Sequence, residues 1–208
     1  MGIRVQFWLG AADGITTHFL NAPLSEFIAW YHTLIEDYPE ELVPGVSELI
    51  LEVIQTGESA LLAETQRKAD TIDRMIDLFY GSYCDGIRPD LLQEAEGSML
   101  YVQRYEKHKE LIGAQCGAMA LEYWEHLLAG RGIGRQGMHY PYRSLDGVFR
   151  IGYWTFDECE SLQRLMTKNL KGQLESKFQG DRYIDIQASY RALKCATENE
   201  VGLILTVA

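Results

Sequence analysis

Between Arg4 and Arg67 the sequence has no lysine or arginine. The gap contains ten carboxylates: Asp13, Glu26, Glu36, Asp37, Glu40, Glu41, Glu48, Glu52, Glu58 and Glu64. A field of that sign repels nucleic-acid phosphate and anionic lipid and draws basic partners inward. Direct nucleic-acid or membrane binding through this part of the chain is therefore not expected. Long apolar runs are missing too, and no window approaches the ~18 uninterrupted apolar residues of a membrane span. The first residues run apolar only to Leu9, too short for a signal-peptide core. Gln6 stands where a myristoylation signal wants Ser or Thr.

Cysteine is sparse. Cys84, Cys116, Cys159 and Cys195 lie more than 30 residues apart, with no C-x-x-C pair. That spacing argues against a zinc site or a disulfide framework and for a cytoplasmic protein with reduced, mostly buried thiols. Proline is scarce as well, five in 208 residues. With 47% apolar and 24% charged residues, the composition excludes collagen-like or disordered chains. Catalytic signatures are also absent: there is no G-x-S-x-G, no P-loop and no Rossmann fingerprint.

What the chain does have is a charge asymmetry. Residues 1–100 carry 17 acids and 5 bases, whereas residues 101–208 carry 13 acids and 14 bases, for a total of −11. The length suits one domain. It divides into an acidic helical half, about 1–112, and a C-terminal half, about 113–208.

Ile3 to Leu9 alternates with β-branched and aromatic residues and reads as a strand. Gly10 to Asn21 reads as a loop. Leu24, Phe27, Ile28, Tyr31, Leu34 and Ile35 form one helical face, and Val46, Leu49, Ile50, Val53 and Ile54 a second. Leu62, Thr65, Ala69, Ile72, Ile76, Phe79 and Tyr83 repeat at alternating intervals of three and four and predict a long amphipathic helix. Leu92, Ala95, Met99 and Val102 predict the start of another, and Cys116 to Leu128 a further one. Val148 to Trp154 reads as strand, and Thr155-x-x-Glu158 as a capping box opening a helix. Tyr183 to Leu193 marks the last helix. Val201 to Val207 is a strand with no polar face, expected inside the sheet. The fold class is α+β: mostly helical, with a small sheet built from strands near both chain ends and covered by helices.

Several residues could carry chemistry. Arg131, Arg135, His139 and Arg143 lie in a Gly-rich stretch whose forked cations could hold phosphate or carboxylate. That stretch follows a helix rather than a strand, which is the geometry of a connecting loop. Glu122 and His126, one turn apart, could form an acid–base pair. Asp70, Asp73 and Asp77 read as a solvated flank of their helix, neutralised by Arg67, Lys68 and Arg74. Trp30 sits at the edge of the Phe27/Tyr31/Leu34 stripe, where partial exposure fits a binding anchor.

Three stretches resemble the YfbM-like family of small bacterial proteins: Tyr123 to Gly130, Val148 to Glu158, and Tyr190 to Val207. The resemblance spans about residues 120–207. It implies an α+β fold and a bacterial setting, with relatives in toxin–immunity contexts, and it supplies no catalytic residues.

The sequence therefore points to a non-catalytic protein-binding module, of the immunity or antitoxin type, that masks a basic partner surface. Trp30, Glu36, Asp37, Glu40 and Glu41 are the expected contacts, and no cofactor or metal is called for. The alternative is an enzyme or binding domain for a phosphorylated or carboxylated small molecule, using Arg131, Arg135, His139 and Arg143.

Overall fold

The computed structural model describes residues 4–10, 15–39, 42, 44–62, 65–95, 100–101, 108–128, 151–175 and 184–207. The alternation of residues 4–9 makes strand β1 (Arg4–Leu9). It pairs antiparallel with the terminal strand β5 (Leu203–Val207), with Phe7 opposite Leu205 and Trp8 opposite Ile204. On its far side β5 pairs antiparallel with β4 (Ile151–Trp154). β5 is thus interior, as its lack of a polar face demands. Two short strands, β2 (Gln93–Glu94) and β3 (Leu100–Tyr101), pair with the remaining edge of β1.

Side chains alternate across this sheet, so each strand feeds two cores. Phe7, Leu9, Trp154, Leu203 and Leu205 point to one face. There they meet α5 (Lys109–Cys116), α6 (Ala118–Leu128), α7 (Phe156–Glu175) and α8 (Ile184–Glu198). Trp8, Tyr153 and Ile204 point to the other face. The helices there are α1 (Ile15–Leu20), α2 (Leu24–Asp37), α3 (Val46–Thr56) and α4 (Gln66–Asp77). The α+β architecture is a three-layer one, with the acidic helices on one side and the C-terminal helices on the other.

Several local expectations change in the structure. Residues 15–20, expected as loop, form α1, because Ile15 and Phe19 bury against the second core. The long helix starts at Gln66, capped by Thr65, whose hydroxyl accepts from the Lys68 amide. Leu62 lies outside it and is exposed. Beyond Asp77 the helix widens into a π-helical turn, Leu78–Cys84. Phe79 there packs edge-on against Phe19, Phe27 and Tyr80 at 4.9–5.2 Å. Within the helix expected from Leu92, Gln93–Glu94 and Leu100–Tyr101 are instead strands, because the open edge of β1 binds their backbone; Met99 and Val102 lie outside the described residues. The helix expected over Cys116–Leu128 begins at Ala118, because Gly117, with φ +91°, leaves Cys116 at the end of the preceding helix.

The expected capping box is present. The Thr155 amide donates to Glu158 Oε2 at 2.9 Å, and the Glu158 amide donates to Thr155 Oγ1 at 3.3 Å. All four cysteines are free; Cys195 is half-buried and the other three are buried. Burial pushes the Cys84 thiol up to about 12 and that of Cys116 up to about 11. Among the described residues, no helix is long and apolar enough to cross a membrane.

Candidate functional site

Pro23 opens α2, and Phe27 and Tyr31 anchor its inner face. Trp30 lies on the flank of that face and is half-buried. It stacks on Phe27 with ring centroids 5.7 Å apart and leans on Tyr83 at 5.3 Å. The partial exposure expected of Trp30 is therefore present, but much of the ring already serves the core. Asp37 follows Trp30 at i+7, on the same flank of the helix. Glu36 and Asp37 are both exposed at its end. Glu40 and Glu41 lie outside the described residues.

α3 carries the face that the sequence reading missed. Val46, Leu49, Ile50 and Val53 are buried. Leu51 and Ile54 are not: they are 53% and 51% exposed, side by side at i, i+3 on the outer surface. The expectation that Ile54 joins the buried face is thus corrected. Six apolar residues between 46 and 54 cover more of the helix circumference than one contact can bury. That surplus was the signal available beforehand. Glu48 and Glu52 run along the adjacent row, and Glu58 stands just beyond the helix end; all three are exposed.

Two of the bases near this surface, Lys68 and Arg88, are occupied. Lys68 crosses from α4 to donate to Glu52 Oε1 at 2.8 Å. Arg88 binds Asp90 in a fork, through Nε at 2.8 Å and Nη2 at 2.9 Å, and also donates to Glu26. Those carboxylates raise the guanidinium pKa further, and Arg88 in turn lowers that of Asp90. No such partner is seen among the described residues for Glu36, Asp37, Glu48 or Glu58. Between α3 and α4 lies an open cleft of about 300 Å³. Glu48, Leu49 and Glu52 form one wall, and Thr65, Arg67, Lys68 and Thr71 the other.

The remaining candidates fare differently. Arg131, Arg135, His139 and Arg143 lie outside the described residues. Glu122 and His126 do not form a pair: Glu122 is exposed, while His126 is buried. The imidazole Nδ1 lies 3.1 Å from Glu158 Oε1, close enough for charge contact. Sequence spacing could not reveal this, because Glu158 comes from another helix and already serves the cap.

A second buried contact of this kind joins His108 Nε2 to Asp185 Oδ2 at 3.5 Å. The Asp70/Asp73/Asp77 flank is not solvated as expected. Asp73 and Asp77 are only 7% and 4% exposed, because this helix is covered on more than its apolar side. Among the described residues, no cluster of three His, Cys, Asp or Glu side chains has the geometry to hold a metal.

Comparison with protein-family models, curated proteins and solved structures finds no match to this chain.

Proposed function

We propose that this protein is a non-catalytic binding module that docks a basic protein partner through the acidic surface of α2 and α3. The observation that carries the reading is a set of carboxylates at the surface without basic partners among the described residues, set beside exposed apolar side chains. Glu36, Asp37 and Glu48 supply charge, and Leu51, Ile54 and the free edge of Trp30 supply apolar contact. Such a surface favours a cationic protein and disfavours phosphate backbones and anionic lipid. Its natural role is that of an inhibitor of the immunity or antitoxin type, covering a basic surface on its target. The immunity or antitoxin role follows the setting that the YfbM-like resemblance implies, whereas the docking surface is argued from the residues alone.

The test is affinity capture from the source cells at low and high salt. It compares the wild-type chain with the charge-reversed variant Glu36→Lys, Asp37→Lys, Glu40→Lys, Glu41→Lys. One stoichiometric basic protein, held by the wild type at low salt and released by either salt or charge reversal, is the expected outcome. A partner indifferent to both changes would sink the proposal.

A further inference from the structure

The outer face of α3 has two parallel rows. Leu51 and Ile54 form an apolar row, Glu48, Glu52 and Gln55 form the row beside it, and Glu58 lies just past the end of the helix. Each apolar side chain is half exposed although its helix belongs to the core layer. An apolar row of this kind, at i, i+3 spacing and edged by carboxylates, matches the apolar and basic faces of a cationic amphipathic helix.

We infer that this face seats a basic amphipathic helix from the partner protein. Leu51 and Ile54 pack against its apolar residues, and Glu48 and Glu58 take its Lys or Arg side chains, Glu52 already holding Lys68. The inference rests on the binding-module reading above and specifies its seat. Charge decides among possible occupants. A second copy docked on the same face would set α3 carboxylates against α3 carboxylates, which like-charge repulsion opposes. Anionic lipid is repelled for the same reason. Lys68 provides an internal example of the contact, its ammonium placed 2.8 Å from Glu52 Oε1.

The test uses the full chain and a synthetic helical peptide of leucine and lysine, with the leucines at i, i+3, i+4 and i+7. Its counterpart has glutamate in place of every lysine. Binding is followed by fluorescence anisotropy, and the fold of each variant by circular dichroism. The lysine peptide is expected to bind the wild type and the glutamate peptide not to bind. Both Leu51→Ser/Ile54→Ser and Glu48→Lys/Glu58→Lys should weaken binding about tenfold or more, a loss that corresponds to one step of about 1.4 kcal/mol.

Glu110→Lys/Glu160→Lys makes the same charge change at exposed residues of α5 and α7. It should weaken binding far less. Equal weakening by that control, or full binding by Leu51→Ser/Ile54→Ser, would overturn the α3 seat. If the apolar variant binds normally while reversal at Glu36, Asp37, Glu40 and Glu41 abolishes binding, the acidic module stands and only its seat is wrong. A wild-type chain that binds neither peptide, or both equally, overturns the seat; the affinity capture then judges the module separately.

Discussion

At the scale of single residues, the structure's clearest chemical constraint is the proton supply around His18 and Tyr80. The fully buried Tyr80 hydroxyl lies 2.8 Å from the Ile15 carbonyl and 2.9 Å from His18 Nδ1. The other ring nitrogen of His18 lies 3.1 Å from the Leu91 carbonyl. With His18 neutral, Nε2–H donates to Leu91 and the single phenolic proton serves two acceptors. Burial lowers the His18 pKa, and the bond to Leu91 opposes that shift only in part.

The consequence for stability follows from linkage. A folded-state value below the unfolded one, about 6.5, means the unfolded chain takes up the proton first as pH falls. This group's stability is full above that value, then declines with falling pH until the folded-state value is passed. Urea unfolding at about pH 7.5 and about 5.5, on either side of the unfolded value, should therefore show a smaller loss for His18→Gln than for the wild type. Equal losses in the two proteins would contradict this assignment.

At the scale of elements, two glycines, one between helices and one inside a helix, should respond oppositely to the same substitution. Gly117 separates α5 from α6 with φ +91° and ψ 176°, a region almost restricted to glycine. A Cβ there meets nothing within 4 Å, so the cost is conformational rather than steric. Gly117→Ala should destabilise by about 1–3 kcal/mol. Gly172, inside α7, also has open space where a methyl group would stand, but no positive φ. Gly172→Ala should stabilise by about 0.5–1 kcal/mol by stiffening the unfolded chain. Chemical denaturation of both variants decides the point; the same sign for both would refute the conformational account.

At the scale of the whole molecule, the sheet is shared property. Phe7 and Leu9 of β1 belong to one core while Trp8, between them, belongs to the other, and β5 divides its residues in the same way. Across the sheet, Trp8 Nε1 donates to Thr206 Oγ1 at 2.8 Å, and that hydroxyl donates to Asp85 at 3.4 Å. Because neither core can lose the sheet without the other, thermal unfolding should be one transition. Fluorescence dominated by Trp8 and Trp30 should report the same midpoint as that dominated by Trp124 and Trp154, read in single-Trp-to-Phe variants corrected for their own stabilities. Leu205→Ala should lower both midpoints together, at a cost of about 2–5 kcal/mol. Separate transitions would show two independent units.

Much of this was legible in the amino-acid order, and the reason is local. Strand β1, the inner faces of α2 and α3, the Thr155–Glu158 cap and the interior place of β5 follow from side-chain period, cap chemistry and the lack of a polar face. The base-free stretch from residue 5 to 66 was likewise plain from composition. Other features needed the tertiary structure, because they depend on what comes to lie alongside. The edge of β1 paired with Gln93–Glu94 and Leu100–Tyr101 of a helical-looking segment, and tertiary packing buried Asp73 and Asp77. His126 met Glu158 because a helix about 30 residues further on packs against its own, while Glu122 on the preceding turn faces solvent. Which of α3's six apolar residues stay outside was decided the same way: the second core has room for four, and Leu51 and Ile54 are left at the surface.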